Sequence, residues 1–349
     1  MKDPIIFDGH NDVLTRLLLA GGVDAVERIA DRGRGAIDIE SAREGGFGGG
    51  FFAIWVPSPM DASARMAKMQ GETYDMALPG MVQRGEADRV VGQELAILRR
   101  LEARGYLRIC TDTATLRETL GSDRMAAILH IEGAEAIGPD LEELPALYAA
   151  GLRSLGPVWS RETVFGHGVP FRYPSTGDIG PGLTEAGERL VRACDEMGIM
   201  IDLSHLNEAG FWDVARLSGR PLVATHSNAH AICPHARNLT DAQLDAIAES
   251  DGMVGLNFGC AFLRPDGRMR SDVGLDVVLR HLDHLLDRLG ETRVGIGSDY
   301  DGALVPADLK TVADLPNLRT AMANHGYDGP LMEKICHGNW MRVLDKSWA

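Results

Sequence analysis

The stretch FDGHNDVL (Phe7 to Leu14) closes an apolar run, Ile5-Ile6-Phe7, on His10, Asn11 and Asp12. In an extended strand residues i and i+2 face the same way, so an imidazole and a carboxylate would stand side by side there. Zinc takes both donor types readily. The ordinary alternative is a strand-end turn, with Asp8-Gly9 bending the chain and Asp12 capping the next helix. The same kind of ending recurs, however. MAAILHIEG ends on His130 and Glu132, IDLSH on His205, LVATH on His226, and VGIGSDYDG on Asp299 and Asp301. Histidines without a shared task would scatter, as His281 and His284 of HLDHLLDRL are expected to do on a surface helix. Ionisable groups gathered behind apolar runs are costly to desolvate unless paired or metal-bound. The pattern predicts a metal site.

His10, Asp12, Glu132, His205 and His226 supply three imidazoles and two carboxylates. One catalytic zinc takes about three protein ligands plus water, whereas two ions sharing a carboxylate use all five. Glu132 is the expected bridge, because a carboxylate offers two oxygens. Two ions ~3.5–4 Å apart would hold a water between them and lower its pKa toward neutrality, giving a hydroxide aimed at a carbonyl. His130 would share a face with Glu132 and is a rival ligand, read here as a packing histidine. The run HSNAHAICPHAR also holds His230, Cys233 and His235, whose spacing matches no common zinc finger. Arg237, in the same loop, either grips a carboxylate with its planar fork or is a solvated loop arginine.

Something must bring these strand ends together. Short β-rich runs occur at PIIFDGH, GGFFAIWV, MAAILHIEG, GLRSLGPVW, IMIDLSHL, PLVATHSN, DGMVGLNF and RVGIGSDYDG. Most are nearly continuous apolar stretches, as strands buried on both faces should be. Helical patterns lie between them, such as Leu183 to Leu190 with Thr184 as N-cap, and Thr240 to Ala248. Pro57 to Arg108 must hold more than one helix, and the Gly45–Gly50 cluster reads as a loop entering the second strand. Strand–helix alternation repeated eight times predicts a (β/α)8 TIM-like barrel, one α/β domain over residues 1–349, with its chemistry at the strand ends.

Bulk composition narrows the partners. A formal net charge of −15 excludes nucleic acid and anionic membrane surfaces, both of which need a basic face. No apolar span suits a transmembrane helix, and MKDP leads straight into a strand, so no signal peptide is expected. Five cysteines, odd in number and without a CxxC, suit free thiols in a reducing cytoplasm.

Taken in order, FDGHND, HIEGAEAI, IDLSH, THS…ARN and GIGSDYDG resemble the renal (membrane) dipeptidase family of zinc peptidases, over nearly the whole chain from about Ile5 to HGNWMRVLDKSW. The resemblance implies two zinc ions, one held by His10 and Asp12, the other by His205 and His226, with Glu132 bridging. It further implies that Asp299 passes a proton from the water to the leaving amine and that Arg237 binds the substrate's C-terminal carboxylate. Dipeptides, including those with a C-terminal D-residue, would be the substrates, and a homodimer the assembly. Two positions depart from the family. Trp159 in LGPVWS stands where members place a substrate-facing histidine, and Gly259 stands where a tyrosine is common. Trp159 is therefore expected to narrow the pocket, and His167, in the glycine-flanked FGHGVP, to supply the missing donor. The rival reading is a metal-dependent lyase or decarboxylase on a similar barrel, which would polarise substrate without a bridging carboxylate.

Overall fold

The computed structural model describes residues 3–58 and 62–349, with Ala62 and Ser63 as backbone only. Eight parallel strands follow one another round a ring: β1 (Ile6–Asn11), β2 (Phe47–Trp55), β3 (Met125–Glu132), β4 (Leu152–Gly156), β5 (Met200–Ile201), β6 (Val223–Ala224), β7 (Met253–Leu256) and β8 (Val294–Ile296). Each pairs with the next. A parallel bridge between Asp202 and Val223 joins β5 to β6, and Asp8 opposite Ile296 joins β1 to β8. The alternation expected from the sequence therefore folds as a (β/α)8 barrel. Every residue of β1 and β3 is buried, which is why these strands open as apolar runs and carry no solvent-facing alternation.

Helices cover the outside. Thr184 caps the helix Glu185–Met197 by accepting from the Gly187 amide at 3.1 Å, and Thr240 forms a capping box with Gln243 on Asp241–Glu249. The segment after β2 holds two helices, Ala62–Lys68 and Arg84–Ala103. Two sequence expectations fail. The glycines after Phe47 lie inside β2 rather than in a loop. A Cβ on Gly49, whose φ is +125°, would meet the Ala126 carbonyl oxygen at 2.0 Å, so glycine there lets β2 and β3 approach. His281 is fully buried, not exposed: its Nε2 reaches the Leu263 carbonyl at 2.9 Å, and its Nδ1 accepts from the Ala229 amide at 3.2 Å.

The end of the barrel opposite the strand C-termini is plugged by Trp340 from the helix Asn339–Ser347. Its indole donates to the Ile296 carbonyl at 3.1 Å and packs with Phe7, Phe51, Ile128 and Met253 inside the ring. The ring carbon Cζ2 lies where a Cβ on Gly9 would be, 2.5 Å away.

Candidate metal centre

Every expected ligand sits at or just beyond the carboxyl end of a strand. His10 comes from β1, Glu132 from β3, His205 and His226 follow β5 and β6, and Asp299 follows β8. Asp12 occupies the N-cap position of the helix Val13–Leu19, yet its side chain makes no capping hydrogen bond. Its carboxylate turns to His10 instead, Oδ2 lying 3.4 Å from Nε2. Three imidazoles gather on one oxygen: Glu132 Oε1 is 3.1 Å from His205 Nε2, 3.3 Å from His226 Nε2 and 3.7 Å from His10 Nε2. Donors on one tetrahedral zinc, at bond lengths of about 2.0–2.1 Å, stand about 3.3 Å apart, so this spacing suits a shared ion.

Two triads could each hold a metal, His10–Glu132–His226 and His10–Asp12–Asp299, with His10 common to both. Both ring nitrogens of His10 and Nε2 of His226 are buried without a hydrogen-bond partner among the described residues. Behind them, the remaining nitrogens are fixed. Ser160 Oγ lies 2.8 Å from His205 Nδ1, and Thr225 Oγ1 lies 2.8 Å from His226 Nδ1 and is itself held by Asp202. Such outer contacts set the tautomer and aim Nε2 inward. Burial drives the pKa of His205 and His226 well below the ordinary imidazole value, keeping them in the neutral, metal-binding form. At His10 burial acts the same way, but Glu132, Asp12 and Asp299 outweigh it and push the ring up to about 10. This corner of the site demands a cation.

The backbone is bent to serve the cluster. His205, Asp299 and Asp301 take left-handed φ values of 67°, 62° and 66°, a conformation that costs non-glycine residues about 1–3 kcal/mol each and gathers at functional sites. Asn257 Nδ2 donates to Asp299 Oδ2 at 2.9 Å. Asp301, by contrast, is taken up by Arg16 at 2.9 Å and the Ala36 amide at 2.7 Å.

Over the cluster opens a cavity of about 340 Å³, floored by Asp12, Glu132, His205 and Asp299 and walled by Trp55, Trp159, Phe171 and Phe262. Trp159 stacks toward His205, ring centres 5.7 Å apart, so the tryptophan does face the cavity. A side chain at Gly259 would strike the Phe262 ring at 2.8 Å; phenylalanine fills that wall instead. Arg237 lies beneath rather than on the wall. It is 4% exposed, donating from Nη1 to Ser227 Oγ and from Nη2 to the His226 carbonyl, both at 2.8 Å, with Nε unpartnered among the described residues.

One expectation is not met by the geometry. His167 does not fold back over the site. It is half-buried, with Nδ1 3.1 Å from Glu162 Oε1, and is not among the residues that line the cavity. His230, Cys233 and His235, whose spacing had argued against a zinc site, do not converge: His230 Nε2 meets the Ser175 carbonyl, Cys233 lies against the Ala261 carbonyl, and His235 packs among Tyr74, Phe171 and Phe262. His130 is a packing residue held by Ser154 Oγ at 2.9 Å. Sequence reasoning missed Arg65, which lines the cavity.

The model of one family, membrane dipeptidase (peptidase family M19), matches residues 1–348. The chain belongs to this family. It is thereby a metallopeptidase of the dipeptidase class, which sets aside the lyase reading. A metallo peptidase from Rhodobacter sphaeroides, solved with a phosphinate mimic of the dipeptide L-Ala-D-Ala, is 52% identical, with a TM-score of 0.96 over 99% of this chain and all of that one. The dipeptidase AC, a metallo peptidase of the same family, is also 52% identical, with a TM-score of 0.95 over 100% of this chain and 99% of that one. An uncharacterized protein in the pqqA 5′ region of Klebsiella pneumoniae is 46% identical over 266 residues, 76% of this chain and 98% of the relative.

Proposed function

We propose that this M19 peptidase cleaves dipeptides, those with a C-terminal D-residue among them, using two zinc ions held by His10, Asp12, Glu132, His205 and His226. The observation that carries this reading is the gathering of three imidazole Nε2 atoms on Glu132 Oε1, beside the His10–Asp12–Asp299 triad, on the floor of a small cavity. The Rhodobacter relative's phosphinate mimic supports the substrate class. Bound here, the ions would supply Lewis acidity, polarising the scissile carbonyl and acidifying the attacking water. Glu132 would bridge them. Asp299, buried and steadied by Asn257, takes the water's proton on a carboxylate oxygen and hands it to the leaving amine. Arg237 keeps Nε for the main-chain carboxylate, and Trp159 limits the width available to a substrate side chain. His167 takes no part. A homodimer, carried by the family resemblance, and a cytoplasmic setting, suggested by five free and buried cysteines, complete the reading.

The test is amino-acid release from a library of L,L and L,D dipeptides by protein as purified, after chelation, and after zinc is restored. Cleavage should vanish with the metal and return at close to two ions per chain. A zinc-loaded protein that cleaves no dipeptide refutes the reading, and full activity with one tightly held ion refutes its binuclear part.

A further inference from the structure

The cavity wall carries one cation that the chemistry above leaves unused. Arg65, on the helix Ala62–Lys68, lines the cavity together with Asp12, Glu132 and Asp299. Its guanidinium carbon lies 5.5 Å from the centre of the Trp159 ring and 5.7 Å from that of Phe171. Two aromatic rings thus stand within cation–π distance of the fork, and none of its N–H groups has a hydrogen-bond acceptor among the described residues. The other arginine of the wall is differently placed. Arg16 Nε binds Asp301 at 2.9 Å, and its Nη atoms donate to the carbonyls of Arg34 and Ile37. No such ion pair holds Arg65 among the described residues.

The acids that face Arg65 are Asp299, Asp12 and Glu132, the groups assigned above to the metals and the proton. With those groups engaged, its remaining neighbours on the wall among the described residues, Met66, Met69, Phe262 and Met269, offer no carboxylate. A partly desolvated guanidinium fork is matched best by a carboxylate that meets it with two oxygens. A dipeptide brings one main-chain carboxylate, which the reading above assigns to Arg237. On that reading the guanidinium of Arg65 is left for a second carboxylate.

We propose that Arg65 is a specificity residue that receives a side-chain carboxylate, so that the preferred dipeptides carry aspartate or glutamate. The proposal rests on the dipeptidase reading and names its substrate class. It is tested by measuring kcat/KM for L-Ala-D-Ala and for L-Ala-D-Glu and L-Ala-L-Glu in the wild-type enzyme, Arg65→Met and Arg65→Lys. The wild type should prefer one of the acidic dipeptides over L-Ala-D-Ala by about tenfold or more, the scale of one charge-assisted contact. In Arg65→Met that ratio should fall at least about tenfold, and Arg65→Lys should restore part of it. A ratio that is unchanged in Arg65→Met overturns the proposal, whether activity on both substrates holds or drops together.

Calorimetric binding of free glutamate to zinc-loaded protein reads the same contact without turnover. Weaker binding to Arg65→Met by about tenfold, with no matching change for alanine, supports it. Equal glutamate binding by both proteins overturns it. If the wild type cleaves no dipeptide yet glutamate binding still depends on Arg65, the dipeptidase reading fails and the carboxylate contact stands.

Discussion

At the scale of single residues, the proposed chemistry leans most on the carboxylate of Asp299. It is buried, accepts from Asn257 and sits on a backbone bent to a φ of 62°. An amide in its place keeps the shape and the acceptor but cannot take a proton. Asp299→Asn should therefore lower kcat by roughly 10²–10⁴-fold, the usual scale for a lost proton-transfer group, while zinc content by elemental analysis stays near that of the wild type. Turnover near the wild-type rate would remove Asp299 from the chemistry. Asp301 could not replace it, being tied to Arg16 and Ala36. The convergence of His10, Asp12, Glu132, His205 and His226 was legible because a metal restricts its donors to few residue types and the barrel restricts them to strand ends. Arg65 was not legible, since one arginine in a helix carries no spacing to mark it. His167 was misjudged because flanking glycines grant freedom of path without giving it a direction, and Glu162 supplied a nearer partner.

At the scale of elements, the eight strands could be read because burial on both faces demands continuous apolar runs. The buried face of the helix Leu275–Leu289 was readable too. Val278, His281, Leu282, Leu285 and Leu289 fall on one helical stripe, and His281 should have been placed with its neighbours rather than with the half-buried His284. Glycines in strands and turns were harder, because what they admit comes from another part of the chain. Gly302 is the instructive case. A Cβ there would meet Asp12 Oδ2 at 2.1 Å and Asp299 Oδ1 at 2.7 Å, so the turn after β8 must stay bare for two carboxylates to reach the metal corner. Gly302→Ala should swing Asp12 away from His10 and weaken the ion held there by about tenfold or more, one lost ligand contact being worth at least that. Metal retention against a graded chelator would show it, with thermal stability of the metal-free protein little altered. Unchanged retention would mean that the turn relaxes to make room.

At the scale of the whole molecule, the barrel is closed twice, sideways by β1 against β8 and from below by Trp340. The sideways closure followed from counting strands. The plug did not, since a tryptophan in an amphipathic helix reads the same whether it enters a ring or lies on its outside. Replacing it leaves a large void among strands whose glycines cannot fill it. Trp340→Ala should cost about 3–5 kcal/mol, seen as a lower denaturant midpoint. A loss below about 1 kcal/mol would show that the plug is not needed to hold the ring.

That double closure also has a history in time. Asp8 accepts from Ser298, 290 residues further along, and the plug follows later still. On a ribosome adding about 5–20 residues each second, β1 must wait roughly 15–60 s for its last neighbour to be made. Phe47–Trp55 finds both of its partners early, but the side of Ile6–Asn11 that faces Val294–Ile296 stays open until β8 has been made. A ring closed between its first strand and its last cannot be completed during synthesis until β8 has emerged and Ser298 reaches Asp8.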